Sequence, residues 1–255
     1  MDRVRAMSKD ISQLLQEWEF DSEKSVRVVK TDDGREVMQV RLPLGIEQYE
    51  LDGRPDGMRP FGKSTMLEEF QERVRLSSDS FRLGHDDFLL LSNEGILFYY
   101  RYLRLFQIGD YKRTARDTDH NMQLCDLVEK YCEDNDDKKM LLQYKPYILR
   151  MNAISKAMMF LHQHLKAAAR EILESAIESI RSLPEVDTPS FQFERIRSLD
   201  YLESALKQVH EKKADPLEAL KEELAKAVDE EDYERAAVLR DRIGELSGET
   251  SEQES

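Results

Sequence analysis

The pattern in this chain most suggestive of chemistry is Gly57-Met58-Arg59-Pro60-Phe61-Gly62-Lys63-Ser64-Thr65, which fits the phosphate-binding spacing G-x-x-x-x-G-K-[ST]. In such a loop the backbone amides cradle phosphates, Gly57 and Gly62 free the chain to do so, Lys63 reaches the terminal phosphates and Ser64 holds magnesium. The flanks read differently. The run before it, Ile46-Glu47-Gln48-Tyr49-Glu50-Leu51, is half polar and stands several residues from Gly57. A buried parallel strand is near-continuously apolar and runs straight into the loop. No apolar strand ending in Asp and no alternation of strand and helix follows. Thr65 with Glu68 instead forms a capping-box pattern that opens a helix.

A second stretch combines rings and cations: Tyr99, Tyr100, Arg101, Tyr102, Arg104, Phe106, Tyr111, Lys112, Arg113 and Arg116. Rings of this kind stack bases while Arg101, Arg104, Lys112, Arg113 and Arg116 contact phosphate. The other account is a core helix whose rings pack inward and whose arginines pair with the abundant carboxylates. With 38 Lys and Arg against 52 Asp and Glu, the chain carries a net charge of −14, which opposes polyanion binding over the whole surface. His162 and His164 point about 200° apart on one helix and do not share a metal there. Cys125 and Cys132, about 10 Å apart along a helix, are too distant to bridge. No metal site, no cofactor and no catalytic residue is expected.

The elements that must position these residues follow from periodicity. A helix is expected over Ser8–Trp18, with Ile11, Leu14, Leu15 and Trp18 on one face. Val26–Lys30 and Glu36–Leu42 flank Asp33-Gly34 and read as a β-hairpin, with a third strand near Ile46–Leu51. Helices are then expected over Met66–Leu76, Phe88–Gln107, the stretch after Gly109 up to Tyr131, Lys138–His162, Leu165–Leu183 and Phe191–Lys212. Glu133 to Asp137 reads as an acidic loop. The last of these helices places Phe193, Ile196, Leu199, Leu206 and Val209 on one stripe. Gly109-Asp110-Tyr111 between paired helices resembles the turn of a tetratricopeptide repeat, and Ala157, Ala169, Leu173 and Ala176 fall near that repeat's small and bulky positions. At most two units match, so the expectation is stacked helical hairpins, not a repeat array.

The chain closes on a different kind of signal. Asp215, Pro216 and Glu218 form a helix start. Leu217, Leu220, Leu224 and Val228 make one apolar seam, Asp229-Glu230-Glu231-Asp232 a turn, and Tyr233, Ala236, Leu239, Ile243 and Leu246 a second seam. Ala236-Ala237 lets two backbones approach closely. Two helices this short have too few apolar side chains to offset the ordering of their own backbone, so the segment needs an external surface. Between residues 215 and 246 stand five Lys and Arg against eleven Asp and Glu, which favours a protein over a polyanion as that surface.

Tyr233-Glu234, Ala236-Ala237, Leu239-Arg240-Asp241, Ile243 and Leu246 resemble the UVR motif shared by the UvrB and UvrC subunits of the bacterial excision-repair nuclease. Tyr stands where the family usually has Phe. The resemblance implies an antiparallel helical hairpin that pairs with another such hairpin, in a bacterial cytoplasmic protein. It covers about 32 residues. The helicase body, nuclease domains and Cys-x-x-Cys pairs of the proteins that carry this motif are missing from the chain.

The expectation is therefore a mainly α protein: a small α+β region over 1–84, stacked helical hairpins over 85–213, a UVR-type hairpin over 214–247 and a disordered tail over 248–255. Its function is expected to be non-enzymatic, an adaptor binding a protein partner or a second copy through Leu220, Leu224, Tyr233, Ala236, Ala237, Leu239 and Ile243, oriented by Arg240 and Asp241. The alternative is an accessory role in excision repair or other nucleic-acid processing through residues 99–116, with a nucleotide-binding loop third. No run of about 18 or more apolar residues occurs, so no membrane span is expected. Met1-Asp2-Arg3-Val4-Arg5 leads into a polar helix, not an apolar signal core, and the location expected is cytoplasmic.

Overall fold

The computed structural model describes residues 10–77, 80–211, 216–229 and 232–252. Helix α1 (Ser12–Glu17) precedes three strands, β1 (Val26–Lys30), β2 (Glu36–Leu42) and β3 (Gly45–Glu50), in one antiparallel sheet of order β1-β2-β3. Gly34, at φ +87°, closes the first turn with its N–H on the Thr31 carbonyl and so sets Val28 opposite Met38 and Val29 opposite Val37. As the central strand, β2 buries Val37, Met38 and Val40. The start of α1 expected at Ser8 lies outside the described residues.

A single 3₁₀ turn (Pro60–Gly62) leads to α2 (Met66–Ser77), α3 (His85–Gln107), α4 (Tyr111–Tyr131), α5 (Asn135–Leu142), α6 (Lys145–His162), α7 (Lys166–Arg181), α8 (Pro189–Glu211), α9 (Pro216–Asp229) and α10 (Tyr233–Glu252). The molecule is thus mainly α, with a small sheet at its start. The α3–α4 hairpin turns on Gly109, whose φ of +76° strains any residue with a Cβ, and Asp110 caps α4 by accepting from the Arg113 N–H.

Four expectations are corrected. The acidic run Glu133 to Asp137 is not all loop: Asp134 accepts from the Asp136 and Asp137 N–H groups and starts α5 there. The single helix expected over Lys138–His162 is two, because Pro146 sits in the first turn of α6 and cannot continue α5. On α8 the buried stripe runs through Phe191, Ser198 and Leu202, while Phe193 and Ile196 are exposed. Finally, α10 continues to Glu252, through the start of the expected tail.

Four clusters of buried side chains hold this together, one of them Cys125, Leu142 and Ile148 between α4, α5 and α6. Met38, Val40, Tyr49 and Leu51 of the sheet region pack on Leu105, docking the sheet on the last turn of α3. Phe70 of α2, Phe88 and Leu91 of α3, and Leu124 and Val128 of α4 form a second cluster. Ala157 of α6, Ala169, Leu173 and Ala176 of α7, and Leu202 of α8 form a third, in which the small residues let the helices approach closely. Among the described residues no helix is long and apolar enough to cross a membrane.

Candidate functional site

The closing hairpin is built by its own periodicity. In α9, Leu220, Leu224 and Ala227 recur at four and three residues and face α10; in α10, Ala236 and Leu239 face back. Ala227 is fully buried, and opposite Ala236 it leaves room for the two backbones to come close. The turn is pinned by the Asp232 N–H on the Ala227 carbonyl, 2.8 Å, and by the Asp232 carboxylate accepting from the Arg235 N–H at 3.1 Å. Arg235 reaches across to Glu223 at 3.8 Å.

This arrangement divides the expected interface in two. Leu220, Leu224, Ala236 and Leu239 are used inside the hairpin, whereas Tyr233, Ala237, Arg240 and Asp241 face outward and Ile243 is half-buried. Two seam assignments are corrected. Tyr233, at the first position of α10, is 69% exposed, and Val228 is exposed because Ala227, one residue earlier, holds the phase of the stripe. Val238 also faces outward, 66% exposed. The side chains of Leu217 and Leu246, and the Asp215 cap, lie outside the described residues.

The ring-and-cation stretch does other work. Arg101 is fully buried; its Nε and Nη2 donate to the Asp117 carboxylate at 2.6 and 2.8 Å, and its Nη1 to the Glu50 and Gly53 carbonyls at 2.8 and 2.9 Å. Its guanidinium covers one face of Phe98, 4.7 Å from the ring centre, and His120 stacks on Phe98 at 3.6 Å. Arg116 pairs with Asp52 and Asp117 and donates to the Leu51 carbonyl. Arg113 pairs with Asp110 and, at 3.8 Å, with Glu36; Arg104 donates to Gln107. Arg101 is thereby removed as a phosphate contact. Arg101, Arg113 and Arg116 fasten the sheet and its following loop to α3 and α4. Lys112 stays exposed beside a cleft of about 560 Å³, whose charges are mixed: Arg116 and Lys156 with Glu68 and Asp119.

The phosphate-loop pattern is corrected in the same way. Gly57, Gly62, Lys63 and Ser64 follow an antiparallel sheet, not a parallel strand. Lys63 pairs with Glu72, and the Ser64 N–H donates to Glu68 at 2.9 Å, while Thr65 Oγ1 accepts from the Glu68 N–H in the capping box. The next two amides, of Met66 and Leu67, donate to the fully buried Glu94 at 2.6 and 2.9 Å. The position where a helix start would hold a phosphate is filled by the protein's own carboxylate.

Glu94 is the residue that pattern reading missed. It sits on the apolar stripe of α3 between Leu91 and Phe98, and also meets Arg54 at 3.3 Å and His120 Nε2 at 3.2 Å. A charge on an otherwise apolar stripe was the available signal. Burial pushes its pKa up, but hydrogen bonds from His120 and the two amides outweigh it and hold the carboxyl below its ordinary value near 4.5. A depressed folded value stabilises above the unfolded pKa and is lost as pH falls through the folded one. Glu94→Gln is expected to lower stability by about 2 kcal/mol at neutral pH. It should also flatten the loss of stability below roughly pH 4.5, both checked by urea unfolding at pH 7 and along an acid series.

Among the described residues no three His, Cys, Asp or Glu side chains are grouped to hold a metal ion. Cys125 and Cys132 are both free and buried, and burial pushes the Cys125 thiol up to about 12, far from a reactive thiolate.

Neither the curated proteins nor the solved structures contain a match to this chain. The part that known proteins account for is the closing hairpin: residues 215–249 match the family model for the UvrB/uvrC motif, which is found in DNA repair proteins and mediates protein interactions.

Proposed function

We propose that this protein is a non-enzymatic adaptor that binds a protein partner, or a second copy of itself, through the outward face of the α9–α10 hairpin. The observation that carries this is the division of the hairpin. Leu220, Leu224, Ala227, Ala236 and Leu239 satisfy one another, which leaves Tyr233, Ala237 and Val238 exposed beside Arg240 and Asp241. Tyr and Arg are the side chains most often found at the energetic centre of interfaces. Arg240 and Asp241, paired at 2.9 Å on the surface, would set orientation more than affinity. In this proposal residues 85–213 are the helical body that the hairpin brings to its partner, in the cytoplasm of a bacterial cell.

The double substitution Tyr233→Ala, Arg240→Glu tests the proposal. Both side chains are exposed, so the helicity and melting temperature of the chain should hold, while affinity for co-purifying partners falls by about thirtyfold. Unchanged co-purification would contradict it. A repair accessory that reads nucleic acid through residues 99–116 is the weaker alternative, since Arg101, Arg113 and Arg116 are committed to internal carboxylates.

A further inference from the structure

The loop between β3 and α2 is fastened at both ends. At its entry the Glu50 N–H donates to the carbonyl of the buried Pro55 at 2.9 Å, and Arg54 reaches both Asp56 and the buried Glu94. At its exit Glu94 accepts from the Met66 and Leu67 N–H groups, and Lys63 pairs with Glu72. One buried carboxylate thus ties the two ends together. Between them the Gly57 N–H donates to the Arg54 carbonyl and the Lys63 N–H to the Pro60 carbonyl, both at 2.9 Å.

So held, the loop presents apolar side chains to solvent. Met58 is 65% exposed and Phe61 64%. Phe61 also sits at φ +52° and ψ 24°, in the left-handed region that a bulky residue rarely adopts. A buried Phe would offset that strain by packing. This one meets the Arg73 guanidinium on one face, 5.0 Å from the ring centre, and leaves most of its surface in water. Backbone strain of this kind collects at functional contacts. The tip also carries one uncompensated charge. Arg59 is the only charged residue between Gly57 and Gly62, and it is exposed. Among the described residues no carboxylate pairs with it, whereas Asp56 is taken by Arg54 and Lys63 by Glu72.

We propose that this tip is a second contact surface, at which Met58 and Phe61 enter an apolar pocket of another protein and Arg59 pairs with a carboxylate on the pocket's rim. A backbone already fixed in shape lowers the ordering cost of binding. A guanidinium suits a carboxylate because it can donate two parallel hydrogen bonds. An anionic membrane or a nucleic acid fits less well, since Glu68, Glu69 and Glu72 stand on α2 beside the loop, in a chain of net charge −14. A second copy meeting tip to tip would set Arg59 against Arg59. The proposal is independent of the hairpin and its partner.

Two measurements on the full chain test it. The first is the melting temperature of Phe61→Gly, which removes the ring and suits a φ of +52°. It should hold within about 3 °C or rise, because strain at Phe61 outweighs its packing. A larger fall would make Phe61 a structural residue and overturn the proposal. The second places benzoylphenylalanine at position 58, irradiates the chain in a lysate of its source cell and maps the crosslinked peptide by mass spectrometry. The expected result is a peptide of another protein with Asp or Glu among apolar residues. Its yield should fall about tenfold in Arg59→Glu and, separately, in Phe61→Gly. No crosslink, a peptide without carboxylates, or a yield that ignores either substitution overturns the proposal. So does a crosslink to lipid, to nucleic acid or to a second copy of the chain.

Discussion

Replacing Arg101 with methionine is expected to destabilise the protein by about 3–5 kcal/mol, the loss typical when one partner of a buried ion pair is removed. Arg101 and Asp117 are both fully buried and joined by two hydrogen bonds. The substitution strips Asp117 of two donors and leaves it with Arg116, whose own side chain reaches solvent. It also frees the Glu50 and Gly53 carbonyls and removes the cation from the Phe98 face. A second change, Asp117→Leu, should recover part of the loss, because a paired apolar replacement leaves no buried charge unmatched. Urea unfolding of the two variants checks both statements. A loss below about 1 kcal/mol for Arg101→Met would mean a solvent-facing arginine, and would return that residue to the candidates for nucleic-acid contact.

The same residue shows what could be read from the sequence. The rings and cations of residues 99–116 were visible as a group, and the spacing, in a chain of net charge −14, favoured a core helix paired with carboxylates over a nucleic-acid face. What decides between them is the distance from Arg101 to Asp117 and to the carbonyls of the loop after β3, contacts between residues far apart in the chain. Periodicity is a local signal and carries no such information. It served well where an element keeps one buried stripe, as in α3 and α4, whose bounds fall within a few residues of those expected.

It failed where phase or breaks depend on a neighbour. Pro146 can occupy the first turn of a helix or end one, and only the packing of α5 beside it separates the two. On α8, Leu199, Leu206 and Val209 pack on the core as expected, but at its start Phe191 takes the core place expected of Phe193, and Phe193 and Ile196 face outward. In α9 the larger Val228 looked like the seam residue, yet Ala227 takes the place because a small side chain lets α10 come closer. The hairpin itself was legible from its residues, and its match to a known motif spans the same stretch.

The largest effect on function should come from ending the chain at Lys213. Among the described residues, none of the four clusters that hold the sheet and helices α2 to α8 uses a residue beyond Val209. Outside its own hairpin, helix α9 packs on α7. The shortened protein should therefore stay folded, its melting temperature within about 3 °C of the full chain. It should lose what the exposed face of α10 supplies. The direct measurement is affinity capture from a cell lysate, with the full chain and the chain ending at Lys213 compared at equal bait, alongside the oligomeric state of each by sedimentation equilibrium. The adaptor account predicts that a protein partner, or self-association, is present with the full chain and absent with the shortened one. Capture of the same partners by both chains, with the same oligomeric state, would contradict it.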